Sequence, residues 1–193
     1  MVAQPLAIVA SGIEIIRLNA TIQDLENTPN DAYRYELLKG VLFRMPSPKE
    51  HHGAICVLIS TELAIYCKSH GMRGQVVDNA GYDFSSPTLG ATVLGPDVAV
   101  SASPAKSYGP YSKIPPLLAV EVASPSDSHL YLTDKAQLYL TAGVPLVWIV
   151  WPDTQTVDVW TTPTTFVTLT PQDTLNGGTV LPGLAILVAD IFP

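Results

Sequence analysis

Two acids set inside apolar runs constrain this chain more than any other feature. Asp97 follows Gly95-Pro96 and opens Val98-Ala99-Val100, and Glu121 interrupts the run Leu117 to Val122. An ionised carboxylate is costly to bury unless it is paired, hydrogen-bonded or metal-bound. The second run is apolar at both alternating positions, so it reads as a central strand covered on both faces. A fold that buries these runs must therefore supply partners for both acids. For either acid alone, a turn cap at Asp97 or an ion pair at Glu121 is a sufficient explanation. Two of them, followed by Lys135 in the next helix, shift the balance toward a site. Two carboxylates on neighbouring strands can hold a hard divalent cation such as Mg²⁺, which takes one or two carboxylates plus waters and substrate phosphates.

The rest of the chain supplies an α/β frame. Residues 1 to 20 show no clear element, and Thr21 to Asn27 forms a short helix with Thr21 and Asp24 as a capping box. Tyr33 to Leu38 and Val41 to Met45 flank Lys39-Gly40 as a hairpin. Ser47-Pro48-Lys49-Glu50 reads as a second capping box, opening a helix over about 48 to 70 that Gly71 ends. Short β-rich runs follow at Gln75 to Val77, Gly81 to Phe84 and Asp97 to Ser101, then an exposed loop over Ser103 to Pro116. Ser124 to Ser128 offers N-caps for a helix over 129 to 142, and a buried strand, Leu146 to Val150, comes after Gly143. Thr156 to Trp160 and a Thr-rich tail with a turn at Asn176-Gly177-Gly178 complete the chain. The order is αβββαβ, which implies a mixed sheet flanked by helices, with an extra N-terminal hairpin and C-terminal β segments. At 193 residues, 47% hydrophobic and 14% charged, the chain is expected to be one domain over 1–193, with a core at about 31–160 and a β-rich extension over 161–193.

Charge narrows the function classes. The formal charge of −7 argues against coating nucleic acid nonspecifically, because such binding depends on Lys and Arg neutralising phosphates. The excess is uneven, however. Residues 1–30 contribute −2, residues 136–193 contribute −4, and residues 31–135, with nine basic and ten acidic groups, contribute −1. The apolar stretch Leu6 to Ala10 is too short for a signal-peptide core and no run approaches a membrane span, so a cytoplasmic setting is expected. Cys56 and Cys67 lie about 16 Å apart along one helix, too far to pair there. Neither they nor His70 and His129 show paired zinc-ligand spacing. Ser124 and Ser126 lack a Gly-x-Ser-x-Gly elbow and read as helix caps. Trp148 and Trp151 read as core and sheet edge rather than a base-stacking platform.

The two acids, Lys135 and the element order together resemble the PD-(D/E)XK nuclease superfamily, whose core is restriction-endonuclease-like. Pro96-Asp97 matches the PD element, and Glu121-Val122-Ala123 matches the acidic-x-x element with Ala in place of Lys. In several branches that Lys migrates to the following helix, where Lys135 stands. The strings Tyr35-Glu36-Leu37-Leu38-Lys39-Gly40, Met45-Pro46-Ser47-Pro48 with His52, Gly95-Pro96-Asp97-Val98, Glu121 to Ser126, Asp134-Lys135, Tyr139 through Gly143-Val144 to Trp148-Ile149-Val150, and Leu181-Pro182-Gly183-Leu184 resemble the Uma-type endonuclease family, formerly a domain of unknown function.

The resemblance implies Mg²⁺-dependent hydrolysis of phosphodiesters, with Mn²⁺ as a substitute and DNA as the expected partner. It places Asp97, Glu121 and the Ala123 carbonyl around the metal and gives Lys135 the role of orienting and polarising water. Glu36 would be a third carboxylate, with an exposed strand acid as its alternative. His52 would contact phosphate or water, and its place near a helix N-terminus favours the neutral form. A homodimer is the expected assembly. A module of the same fold that binds a protein or nucleic acid without catalysis stays open, because the chain is acidic and the usual Glu-x-Lys lysine is missing.

Overall fold

The computed structural model describes residues 12–104, 111–125 and 127–193. Leu6 to Ala10, Ser126 and the middle of the expected 103–116 loop lie outside the described residues.

The first sheet has five strands in the order β1-β3-β2-β6-β5: β1 Glu14–Leu18, β2 Tyr33–Leu38, β3 Val41–Pro46, β5 Tyr82–Asp83 and β6 Val93–Leu94. The expected hairpin forms its centre. Lys39 and Gly40 both take left-handed φ, 51° and 75°, between the paired Leu38 and Val41, as a two-residue turn matching strand twist requires. Along β2 the alternation sends Leu37 into a small core with Ala20, Leu25, Leu42 and Val93, where α1, Ile22–Glu26, also packs. Leu38 joins a different core on the opposite face, which is also the face of Arg34 and Glu36. The Thr21–Asp24 capping box forms as expected.

The second sheet has six strands in the order β11-β10-β9-β8-β7-β4. These are β4 Val76–Asp78, β7 Val98–Val100, β8 Leu118–Val122, β9 Val147–Trp151, β10 Thr156–Thr162 and β11 Thr165–Leu169. Only β8 and β9 pair in parallel, joined by α3, His129–Thr141; the other neighbours are antiparallel. Every residue of β8 is buried, as its double-sided apolarity requires. Leu118, Val120 and Val122 face a core built with α2, Glu50–Ser69, and with the C-terminal hairpin of β12, Thr174–Gly177, and β13, Leu181–Leu187. Ala119 and Ala123 face the other core with Ala99, under Tyr131, Leu132, Ala136 and Tyr139 of α3. Small residues on this sheet face make room for the long side chains that α3 lowers onto it. The chain ends in a short 3₁₀ turn, Val188–Ile191.

Four expectations are corrected. β1 forms although residues 1–20 showed no element. All five of its side chains are exposed, so it carries no burial pattern and is held by pairing to β3 and by the Arg44–Glu14 ion pair of 2.7 Å. The run at Gly81 to Phe84 leaves the main sheet as β5 to pair with β6, a two-residue strand too short to show periodicity. At Ser47 no capping box forms: α2 starts at Glu50 with Lys49 as an uncapped N-cap, and Ser47 Oγ donates instead to the Ala32 carbonyl at 2.7 Å. Proline after Ser47 also disfavours helical geometry there. Ser128, rather than Ser124, caps α3, accepting from the Tyr131 N–H at 3.1 Å.

Both long helices end as their glycines foretell. Gly71 and Gly143 have φ of 73° and 97°, and the following residues, Met72 and Val144, donate back to the carbonyls of Cys67 at 2.7 Å and Tyr139 at 3.0 Å, closing Schellman motifs. The second of these closures fixes where α3 ends and so where Lys135 and Tyr139 sit above β8.

Candidate active site

Five elements converge on one cleft of about 610 Å³. β2 supplies Arg34 and Glu36, the β7 and β8 ends supply Asp97, Glu121 and Ala123, and α2 and α3 supply His52 and Lys135; all of these line it. Strand alternation explains the first two sets, since Glu121 shares its face with Ala119 and Ala123, and Asp97 shares its face with Ala99. Helical spacing explains the last, since Tyr131, Lys135 and Tyr139 recur every four residues on the buried side of α3. Parallel β8 and β9 therefore open at their C-terminal ends into the cleft, the usual place for a site in an α/β sheet.

The charged groups at its floor are almost wholly buried: Asp97 and Lys135 are 3% exposed, Glu36 and Glu121 4% and His52 8%. Asp97 Oδ1 accepts from Arg34 Nη1 at 2.9 Å; Oδ2 accepts from the Val122 N–H at 2.9 Å and pairs with His52 Nε2 at 3.1 Å. Lys135 Nζ bridges two acids, 2.9 Å from Glu121 Oε1 and 3.2 Å from Glu36 Oε1. The Tyr139 hydroxyl donates to Glu121 Oε1 at 2.6 Å, and that of Tyr131 approaches Glu36 Oε2 at 3.5 Å. Three acids thus face three cations, which is how so much charge can be buried.

Environment separates the two central carboxylates. Burial pushes the Asp97 carboxyl up, but the His52 hydrogen bond and the Arg34 charge outweigh it and hold the group down at about 2. Glu121 goes the other way: burial raises it to about 7, against the pull of Lys135 and with the charges of Asp97 and Glu36 adding to the rise. Burial works against the Lys135 ammonium, yet Glu121 and Glu36 keep it well above its ordinary value. For His52, burial favours the neutral ring, and the Asp97 hydrogen bond reverses this to about 10. The expectation of a neutral His52 is therefore corrected: a buried carboxylate at 3.1 Å outweighs the helix terminus.

All six sequence candidates, Glu36, His52, Asp97, Glu121, Ala123 and Lys135, border this one cleft. Lys135 is buried between Glu121 and Glu36, and Glu36 is not an exposed strand acid. Sequence reasoning passed over Arg34, two residues before Glu36 on the same strand face, and Tyr131 and Tyr139, four residues either side of Lys135. Strand and helix periods applied outward from Glu36 and Lys135 find all three. It also set Trp151 aside as sheet edge, whereas Trp151 lines the cleft; Trp148 is wholly buried, as expected.

A divalent cation in this cleft needs hard oxygen donors and room for waters. Among the described residues no three His, Cys, Asp or Glu side chains cluster as a ready metal cage. Mg²⁺ does not ask for one: it keeps several waters and takes one or two carboxylates at octahedral positions. Asp97 and Glu121 provide two hard oxygen ligands on one cleft with room for those waters, so the residues fit such an ion.

Residues 21–189 match the family described as "Uma2: Putative restriction endonuclease". The chain belongs to this family. Uma2 membership supports a nuclease, a hydrolase of phosphodiester bonds, and fits the restriction-endonuclease-like sheet and helices. This Uma2 chain is also similar to a solved structure from Anabaena variabilis ATCC 29413, described as "a putative nuclease belonging to DUF820", at 21% identity and a TM-score of 0.75. The likeness covers 89% of this chain and 97% of that one, and at such identity it shows the fold. No curated protein matches the chain. No helix among the described residues is long and apolar enough to cross a membrane.

Proposed function

We propose that this Uma2 protein is a metal-dependent endonuclease that hydrolyses DNA phosphodiesters in the Asp97–Glu121–Lys135 cleft. The observation that carries the reading is the buried Lys135 ammonium held between Glu121 and Glu36, in the same cleft as Asp97. Asp97, Glu121 and the Ala123 carbonyl would hold Mg²⁺ or Mn²⁺. Such an ion, when bound, polarises a phosphoryl oxygen and lowers the pKa of a coordinated water.

The protein's own groups do the rest. Lys135, held by two acids, offsets negative charge developing on the phosphate and orients the attacking water. Glu36 is the second acid on the Lys135 ammonium, at 3.2 Å, and helps to fix its reach. His52 and Arg34 each hold one oxygen of Asp97, so its lone pairs keep one direction. Both ring nitrogens of His52 are engaged, Nε2 with Asp97 and Nδ1 with Cys56 Sγ at 3.5 Å, which leaves Arg34 as the one of the two with N–H groups to spare for a phosphate. The protein is taken as cytoplasmic, where Cys56 and Cys67, both free, stay reduced, and as a homodimer on its substrate.

One observation favours a second reading, a nuclease-fold module that binds without cutting: both Asp97 oxygens already have partners. Plasmid nicking in Mg²⁺ or Mn²⁺ separates the two. The nuclease reading expects nicking by the wild type and none by Asp97→Ala or Lys135→Ala. Equal nicking by all three proteins would identify a contaminant and remove it.

A further inference from the structure

The floor of the cleft accounts for its charged groups, but one wall is built from two aromatic rings that the hydrolytic chemistry leaves unused. Trp151 ends β9 and His129 opens α3; their rings stack with centroids 3.8 Å apart and planes 21° from parallel, and both residues line the cleft. Strand geometry puts this pair next to the acids. Glu121 pairs with Ile149, and the Ala123 N–H donates to the Val150 carbonyl at 2.8 Å, so Trp151 stands one strand across from Ala123. By alternation it shares a sheet face with Ile149, the face that Glu121 also occupies.

The pair is rigid. The indole N–H of Trp151 donates to Asp158 Oδ2 at 2.7 Å, and Thr168 Oγ1 holds the other carboxylate oxygen at 2.6 Å. Asp158 is itself buried, so the ring is anchored from behind while its aromatic surface borders the cleft. The surrounding charges do not favour a duplex backbone: Lys49 and His51 line the rim, but so do Asp127 and Asp153. A protein of net charge −7 has little cationic surface with which to grip paired strands. Stacking needs no charge, and any base has a π-face to offer.

We propose that the His129–Trp151 stack is a base-stacking subsite, so that the cleft takes an unpaired nucleotide of DNA in preference to intact duplex. This rests on the nuclease reading, because the base it holds is that next to the cleaved phosphate. A fluorescein-labelled twelve-residue thymidine oligonucleotide, its duplex with the complement and a copy carrying abasic positions are titrated with the protein in EDTA, where no cleavage occurs. The single strand is expected to bind more tightly than the duplex. Trp151→Ala is expected to weaken it by about 5- to 150-fold, the range that one lost base stack gives, while Trp151→Phe keeps most of the affinity. The abasic oligonucleotide should show the same loss with unaltered protein, which keeps the result independent of any folding defect in the variant.

Equal binding of the intact and abasic strands, or duplex binding as tight as single-strand binding, would overturn the subsite. Cleavage is scored separately in Mn²⁺. Base-dependent binding through Trp151 without any cleavage supports the subsite and removes the nuclease reading. Plasmid cleavage by Trp151→Ala at the wild-type rate overturns the subsite and leaves that reading intact.

Discussion

Lys135→Met tests the electrostatic core of the site. The substitution keeps the length and apolar stem of the side chain and deletes only the ammonium that lies 2.9 Å from Glu121 and 3.2 Å from Glu36. Removing one partner from a buried ion pair typically costs about 3–5 kcal/mol, because the remaining charge has neither water nor a counterion. For a chain of this size that corresponds to a fall in Tm of about 6–20 °C. The fall should depend on pH in a definite direction. Glu121 is already raised to about 7 from an ordinary 4.5, and without Lys135 it rises further. An acid whose folded pKa lies above its unfolded one favours the fold at low pH, where it is protonated in both states, and loses that contribution as pH climbs from 4.5 through the folded value. The variant should therefore melt close to wild type near about pH 5 and furthest below it near about pH 8.5. Adding Glu121→Gln to Lys135→Met removes the stranded charge and should recover part of the loss, measured as a double-mutant cycle by thermal melting. A deficit equal at both pH values, or no recovery in the double variant, would show that Lys135 acts through packing and not as a counterion.

His52, held at about 10 against an ordinary 6.5, contributes stability that is full below about 6.5 and is lost as pH rises toward 10; alkaline melting curves of His52→Asn should lack that decline. Mg²⁺ or Mn²⁺ should raise the Tm of the wild type saturably and that of Asp97→Ala not at all, and an equal rise in both would place the ion elsewhere. Arg34 and Lys49 are the permanently charged cations lining the cleft beside the buried Lys135, so single-strand affinity should fall with salt along a log–log slope of only about −1 to −2. A slope steeper than about −5 would reveal a basic surface outside the cleft.

Much of this arrangement is legible in the sequence. Glu121 inside an apolar strand and Asp97 at the head of another announced buried acids, and the structure buries both. The glycines at 71 and 143 marked both helix ends, because only a left-handed residue closes those turns cheaply. What escaped notice was decided by tertiary pairing. β1 has no buried face, β6 is two residues long, and Ser47 spends its hydroxyl on the β2 hairpin instead of α2. None of these leaves a periodic trace. The neutral His52 failed for a related reason: the local rule, a positive helix terminus, was sound, but the dominant neighbour lies 45 residues away in sequence. Arg34 was missed although its signal was local, two residues from Glu36 on one strand face.

The cost of this network bears on its purpose. Replacing a buried ion cluster by well-packed apolar side chains of similar volume is often neutral or stabilising by about 1–4 kcal/mol, so such clusters are poor devices for holding a fold together. This fold has no need of one. Its two large cores already bury apolar side chains on both faces of β8, and Ala119, Ala123 and Ala99 leave space beneath α3 that leucines would fill. Instead that space admits Lys135, Glu36, Glu121 and two tyrosines, which partner one another, and Asp97, which is held by Arg34, His52 and the Val122 N–H. The cluster also opens into a cleft, whereas an ion network serving stability alone would be best sealed from water. Small residues under a helix, charges with mutual partners and an opening to solvent are together what a preorganised hydrolytic site requires, and they do not suit a core optimised for stability.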